Sequence, residues 1–395
     1  MLSSSVKDEL KKQQYRLVGE HSAVKTCGWT RNMIKGHGGC YKLKFYGINS
    51  SRCLQMTTSI SCANKCIFCW RGYNAPVSKS FEGTIDDPLI ILKESIKAHH
   101  KLLAGFGGQL ALKNTYNISK TIKHVALSLT GEPITYPRIN ELIELFDKED
   151  ISTFMVTNAQ YPEEIKNLHR VTQLYLSIDA PTKDILKKID RPLFTDYWER
   201  MNKSLEYCAQ KKDRTCIRLT IIKGLNDSNH KEYAALITKG SPDFIEVKAY
   251  MHIGPSRERL LIEDMPWHEE IVEFTKELMK YLSDYDIVTE HVPSRVVMCA
   301  RKEFNKDGKW FTWIDFDKWN ELINSREYFD KYSFLKETPQ VGLSGRIIRA
   351  EVKEKQKYKK ETGKKNKPDR TNSEETSRMI EKAFVDEKTD EMELE

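Results

Sequence analysis

No stretch of this 395-residue chain approaches the ~20 consecutive apolar residues that an α-helical membrane span needs. The first residues, MLSSSVKDELKKQQYRL, lack the apolar core of a signal peptide. No internal repeat is evident. The nine cysteines are an odd number, and in a reducing compartment clustered cysteines are more often metal ligands than disulfides. These absences lead us to expect a cytoplasmic protein with no membrane partner. At 39% hydrophobic residues, the chain can bury a full core, as a globular enzyme must.

The two signs of charge nearly balance, 64 basic against 57 acidic residues, but the small excess is unevenly placed. The net charge is +7, and residues 351–395 hold 12 basic and 13 acidic residues, leaving 52 basic against 44 acidic in 1–350, a net of +8. Such an excess fits a solvated Lys-rich surface or a polyanionic partner such as RNA, and charge alone does not choose between them.

The most informative stretch is SCANKCIFCW, which places Cys62, Cys66 and Cys69 within eight residues. Three thiolates from one tight loop can hold three irons of a cubane iron–sulfur cluster and leave the fourth iron open for chemistry. A structural zinc knuckle is the competing reading, but tetrahedral zinc wants a fourth Cys or His nearby, and none follows in the next two dozen residues. Upstream, Cys27, Cys40 and Cys53 are separated by two twelve-residue spacers whose equality looks coincidental. Three cysteines in an irregular segment leading into a cluster loop are read as ligands of a second cluster. A zinc site completed by His21 or His37, or plain structural cysteines, are the alternatives.

From Cys53 onward, short β-branched and aliphatic runs alternate with amphipathic segments, the pattern of a parallel sheet with crossover helices. Strands are predicted near 53–59, 123–130, 151–157, 172–178, 216–222 and 243–250. Helices are predicted near 86–104, 137–149, 161–169, 194–211, 229–239 and 267–283, with a further amphipathic helix over 1–19. The fold class is therefore α/β, a partial (β/α)6 TIM-like barrel with its functional mouth at the C-terminal strand ends. Four parts are expected: an N-terminal extension 1–53 with the second-cluster cysteines, a barrel 54–300, an aromatic-rich C-terminal extension 301–350, and a charged, mobile tail 351–395. The aromatics after 303 fit a small packed extension better than a base-stacking platform. Polar residues gather at the strand ends: Thr130, Gly131 and Glu132; Thr157 and Asn158; Ser177 and Asp179; Lys223; then Lys248, Tyr250 and His252. Lys248, inside an otherwise buried strand, needs a partner or a role, and Glu246 or Glu290 is the expected counter-ion.

CxxxCxxC with Phe68 before its last cysteine resembles the signature of the radical S-adenosylmethionine (SAM) superfamily. With Cys27, Cys40 and Cys53 upstream, FCWRGYN after the loop and TGEP on the second strand, residues 15–345 resemble the archaeal-type 4-demethylwyosine synthases of the wybutosine pathway. The resemblance implies a barrel of the radical SAM type, two [4Fe-4S] clusters and SAM. It also implies that N1-methylguanosine-37 of tRNA-Phe condenses with a two-carbon unit of pyruvate. An external electron donor is expected, since the flavodoxin-like domain of the eukaryotic relatives is not found in this sequence, and the protein is expected to be a monomer. Glu132 resembles the GGE residue that receives the methionine ammonium, with Thr130 standing where that motif has its first Gly. By the same resemblance Asn158, Ser177 and Asp179 are candidates for the SAM carboxylate and ribose, and Tyr250 or Phe68 for stacking on adenine. Lys42 is the candidate catalytic residue. It either forms an imine with pyruvate or, as slightly preferred, orients a pyruvate held by the second cluster. A radical SAM enzyme acting on a peptide or small metabolite is the alternative function, and a non-catalytic electron carrier a more distant one.

Overall fold

The computed structural model describes residues 4–339, apart from 73, 109–111 and 326. Helix α1 (Ser4–Lys12) leads into a hairpin of β1 (Arg16–Val18) and β2 (Ser22–Val24). Two short helices follow, α2 (Gly28–Ile34) and α3 (Tyr41–Tyr46), and β3 (Cys53–Thr57) then begins a repeating strand–helix pattern. Its members are α4 (Pro88–Leu103), a short α5 (Lys113–Ile118), β4 (His124–Leu127), α6 (Ile139–Lys148), β5 (Ser152–Thr157), α7 (Pro162–Asn167) and β6 (Gln173–Ser177). After these come α8 (Lys183–Asp190), α9 (Tyr197–Gln210), β7 (Arg214–Ile221), α10 (His230–Gly240), β8 (Phe244–Ala249) and α11 (His268–Met279). A hairpin of β9 (Tyr285–His291) and β10 (Val296–Arg301) precedes α12 (Phe316–Ser325).

Strands β3 to β8 pair in sequence order and in parallel, as six alternating segments with right-handed crossovers require. All six predicted strands and the six predicted barrel helices are present within a few residues of their expected ends. The sheet is wider than predicted, with order β1-β2-β3-β4-β5-β6-β7-β8-β10-β9 and antiparallel hairpins on both flanks. These flanks cover the edge strands of the open barrel, which would otherwise present unpaired backbone groups. The expected N-terminal helix is shorter than 1–19: it stops at Lys12, because Gln14 takes a positive φ of 66° and turns the chain into β1.

Helix α4 shows how sequence sets these elements. Asp87 accepts a hydrogen bond from the Leu89 N–H at 2.9 Å, Pro88 fills the first turn, and Ile91, Leu92, Ser95, Ala98, His99 and Leu103 recur on one buried face. The strands alternate in the same way. Phe154 and Val156 on β5, Tyr175 on β6, Cys216 on β7 and Phe244 on β8 share a core inside the barrel, while Met155, Leu174, Leu176, Ile217 and Ile245 pack outward beneath the helices.

The barrel interior is plugged from its own termini. Phe45 and Tyr46 of α3 join the inner core, and Phe304, Ile314, Trp319, Phe329 and Phe334 close over them. The Thr312 hydroxyl donates to the Phe45 carbonyl at 2.7 Å, and the Trp313 indole donates to that of Lys44 at 3.0 Å. Arg214, fully buried, donates to the Thr312 carbonyl at 2.7 Å and lies 4.6 Å over the Phe244 ring. Most of the aromatics described after 303 pack in or against this inner core, while Tyr328 and Tyr332 are exposed. The expected tail, 351–395, and residues 340–350 lie outside the described residues.

Candidate active site

The loop carrying Cys62, Cys66 and Cys69 follows the C-terminal end of β3, and Cys53 opens the same strand, so the two thiol sets flank β3. Cys27 and Cys40 sit at the N-caps of α2 and α3, and all six thiols are unpaired. Burial pushes the thiols of Cys27 and Cys53 up, and each is raised further by Cys40, which places the three within electrostatic reach of one another. Cys40 is fixed by Ser50, whose hydroxyl accepts from its N–H at 2.9 Å and donates to its sulfur at 3.2 Å. His21, offered above as a zinc ligand, is engaged elsewhere, 2.6 Å from the Thr58 carbonyl and 3.2 Å from Asp86. Among the described residues no three His, Cys, Asp or Glu side chains close on one point as a mononuclear metal site needs. A cubane asks for a wider arrangement, because each thiolate binds a different iron.

The cluster loop is clamped from three sides. Ile67 and Lys65 donate to the carbonyls of Ile189 and Asp190 at 2.9 Å, and the Asn64 amide donates to the Asp190 carboxylate at 3.2 Å. The Arg259 guanidinium reaches the carbonyls of Ile67 at 2.9 Å, Arg71 at 3.1 Å and Cys69. The third side is the TGEP turn. Gly131 has φ +66°, and a Cβ there would lie 2.0 Å from the Ser59 carbonyl oxygen, so only glycine lets the two chains touch. Glu132 then donates its N–H to Ser61 at 2.8 Å and Ser59 at 3.2 Å.

The Glu132 side chain is 2% exposed. One carboxylate oxygen accepts the Asn158 N–H at 3.0 Å, and the other has no hydrogen-bond partner. Burial pushes its pKa up to about 7, against the pull of Thr157 and Asn158. A buried carboxylate oxygen without a donor, beside the open end of the thiol loop, is what a ligand ammonium would satisfy. The Asn158 amide lies 3.4 Å from the Cys62 sulfur. The Thr130 hydroxyl bonds Tyr15, which is itself within electrostatic reach of Cys69. Ser177 accepts from Arg218 at 3.3 Å, and Asp179 accepts the Thr220 N–H at 3.1 Å, its pKa pushed up to about 6 by burial. Phe68 packs half-buried on a small apolar cluster that includes Tyr250. Tyr250 itself is 1% exposed, with its hydroxyl bonded to Ser256 at 3.0 Å, so its ring is spent on packing.

Lys42 points from α3 into the barrel, its ammonium 4.3 Å over the Tyr175 ring and 5.5 Å from that of Phe154. Burial lowers its pKa and Arg218 adds to this, while Glu246, Cys53 and Cys40 oppose. Glu246 accepts the Tyr46 hydroxyl at 2.9 Å, and burial raises its pKa against Lys42 and Arg218. Lys248 is paired with neither expected carboxylate. It donates to the Ser294 carbonyl at 3.0 Å, while Glu290 lies 2.9 Å from His268, and burial pushes the lysine down to about 8. Arg218, Asp190 and Arg259 were not singled out in sequence, and Glu246 was named only as a counter-ion for Lys248. The signal for Arg218 was available, since a charge within RLTII is as anomalous as Lys248.

A six-stranded parallel partial barrel whose first strand runs into a CxxxCxxC loop, held against a TGEP turn with an unsatisfied carboxylate, defines a radical SAM protein. The family described as "Radical SAM superfamily" matches residues 56–237, and that described as "Wyosine base formation" matches 239–301. The chain is 45% identical over 353 residues to the S-adenosyl-L-methionine-dependent tRNA 4-demethylwyosine synthase TYW1 of Xenopus laevis, covering 87% of this chain and 48% of that protein. To the corresponding synthase of Arabidopsis thaliana it is 42% identical, covering 93% and 58%. Two solved structures superpose at 97% and 98% of their own length and 77% of this chain: TYW1 with a lysine-pyruvate adduct bound (35% identical, TM-score 0.70) and archaeal TYW1 (32%, 0.64). The chain belongs to the TYW1 family. It spans about half the length of the curated relatives it matches.

Proposed function

We propose that this chain is a radical SAM tRNA 4-demethylwyosine synthase, joining N1-methylguanosine-37 of tRNA-Phe to a two-carbon unit of pyruvate. The observation that carries the reading is the presence of two sites in one barrel: the SAM-type loop with Glu132, and a buried lysine among thiols and aromatic rings. Cys62, Cys66 and Cys69 would hold a [4Fe-4S] cluster, and the unsatisfied oxygen of Glu132 fits the methionine ammonium. When bound, cluster and SAM would supply one-electron radical chemistry capable of removing a hydrogen from the substrate. Asn158 and Asp179 would hold the rest of SAM, with Phe68 the better-placed ring for adenine, since Tyr250 is enclosed. A second cluster on Cys27, Cys40 and Cys53 is part of the proposal, supported by the mutual reach of the three thiols.

Pyruvate is a keto-carboxylate, and Lys42, Arg218 and Lys248 outnumber Glu246 in the lower barrel. We assign Lys42 to imine formation. Its neutral amine adds to the keto carbon, water leaves, and the carboxylate remains for Arg218 or Lys248. This reverses the slight preference for chelation: burial favours the neutral amine, and the solved TYW1 structure with a lysine-pyruvate adduct bound supports a covalent route. The aromatic walls at Phe154 and Tyr175 keep water from the imine. Identity is higher to the Xenopus relative (45%) than to archaeal TYW1 (32%), so the likenesses give the archaeal-type expectation no support. The cytoplasmic location, the separate electron donor and the monomeric state stand as proposals on sequence grounds. No helix among the described residues is long and apolar enough to cross a membrane. To test the function, the anaerobically reconstituted protein is given SAM, reductant and pyruvate with tRNA-Phe carrying either guanosine or N1-methylguanosine at 37. Product should form only on the methylated tRNA, and none with Cys62→Ala. Equal SAM consumption without product on both would favour the peptide or metabolite alternative.

A further inference from the structure

Beside Cys27, on the outer wall of the barrel, β1, the end of β2, α2 and the C-terminal end of α4 enclose a cleft of about 350 Å³. Lys11, Arg16, Lys25, Arg31 and Lys101 line it, and among the described residues no Asp or Glu does. Among the described residues, only Lys11 of these cations has a carboxylate within reach, the exposed Asp8 at 3.7 Å, which is not part of the lining. Two of the cations are held by rings that orient without neutralising them: Lys25 lies 4.5 Å over Tyr15 and Arg31 5.8 Å over Phe106. Five like charges drawn from separate segments repel one another unless an anion sits between them. An independent feature points the same way. Thr26 also lines the cleft, is 9% exposed, and its hydroxyl has no hydrogen-bond partner. A buried hydroxyl without an acceptor, in a cleft that offers only cations, fits an oxygen anion brought from outside.

We propose that this cleft grips backbone phosphodiesters of the substrate RNA, with Arg16, Lys25, Arg31 and Lys101 neutralising the strand and Thr26 donating to a phosphate oxygen. The proposal rests on the reading of the chain as a tRNA-modifying enzyme and adds to it a place where the RNA backbone is held. A strand is favoured over a free anion because the cations come from four segments around a cavity larger than one phosphate needs. Such contacts position the RNA and carry no sequence information. They would therefore set affinity without choosing the base.

The test measures binding of labelled tRNA-Phe across a salt series, by anisotropy, for the full chain, for the triple variant Arg16→Gln/Arg31→Gln/Lys101→Gln and for Thr26→Val. Arg16, Arg31 and Lys101 are exposed, so the triple variant should fold unchanged. The log–log salt slope should fall by roughly two units and affinity at moderate salt by about tenfold or more. Thr26→Val should bind several-fold more weakly while melting no lower than wild type, because the lost hydroxyl has no partner in the free protein. If both variants bind tRNA with wild-type affinity and slope, the cleft is not the RNA site, and the reading of the enzyme survives. If the triple variant loses only inorganic phosphate, followed by phosphorus line broadening, the cleft is a small-anion pocket and the strand assignment is overturned. A wild-type chain that binds no tRNA overturns the reading of the enzyme itself.

Discussion

Replacing Gly131 by alanine is a perturbation whose size can be worked from the coordinates. The new Cβ would lie 2.0 Å from the Ser59 carbonyl oxygen and 2.6 Å from the Ile60 carbonyl carbon, whereas ordinary contact begins near 3.4 Å. Both atoms are backbone, so no rotamer can yield; the TGEP turn and the cluster loop must separate by about 1.4 Å, the difference between those distances. A non-glycine residue at φ +66° adds roughly 1–2 kcal/mol. The separation also stretches the two hydrogen bonds from the Glu132 N–H, at 2.8 and 3.2 Å, which together contribute about 1–2 kcal/mol. The expected loss is about 2–4 kcal/mol, and at roughly 2–4 °C per kcal/mol the melting temperature should fall by about 5 °C or more. Because the moved groups are the thiol loop and Glu132, SAM affinity should fall as well. Thermal unfolding and SAM binding to the reconstituted protein check both. Unchanged melting with wild-type SAM affinity would refute the argument that this glycine holds the cluster loop against the TGEP turn.

Other consequences follow from the same geometry. A reconstituted wild type should hold about eight irons and a triple Cys27/Cys40/Cys53→Ala variant about four, with slow SAM cleavage retained; a variant keeping all its iron would remove the second cluster. Glu132 has its carboxyl held up at about 7, so below that pH it is neutral and cannot receive an ammonium. SAM affinity should therefore rise between pH 6 and 8 in the wild type and lose that dependence in Glu132→Gln. By the same sign, the protein without SAM should lose stability as pH climbs from about 4.5 through 7, and the Gln variant should lose less. Borohydride with labelled pyruvate should fix mass on Lys42, and Lys42→Arg should abolish turnover while sparing iron content and SAM cleavage; a trap that labels nothing would return the account to chelation. Deleting 351–395 should weaken tRNA binding at most several-fold and leave turnover at saturation unchanged.

The barrel was legible because its strands and helices write their periods plainly: STFMVT and CIRLTII read as buried strands, and Asp87 with Pro88 marks a helix start. The two sets of three cysteines stood out by their spacing, and the fold places Cys53 at the start of β3 and the Cys62–Cys69 loop after its end. Less visible was what the interior does with charge. On β8 the two-residue period puts Glu246 and Lys248 on one face, which suggests an ion pair, yet each found its partner on another element, Tyr46 and the Ser294 carbonyl. Those partners depend on α3 entering the barrel and on β10 pairing with β8, both long-range events without a local signature. Asp190 and Arg259 were missed for the same reason: each acts through backbone carbonyls or an amide of a loop more than a hundred residues away. Tyr250 could not be placed from sequence, since an aromatic at a strand end can serve the core as readily as a ligand, and here its ring lies in a small apolar cluster.

The central claim is that the two sites of this barrel serve one reaction, the loop of Cys62, Cys66 and Cys69 acting on the methyl group of the base and Lys42 on pyruvate. It is tested most directly by the fate of labelled carbon. Pyruvate carrying ¹³C at its keto carbon is supplied with SAM, reductant and tRNA-Phe methylated at guanosine-37, and the tRNA is digested and analysed by mass. The account predicts a tricyclic base that has gained the label, formed by the wild type and absent with Lys42→Arg and with Cys62→Ala. An unlabelled base at that position, alongside full SAM cleavage, would contradict it.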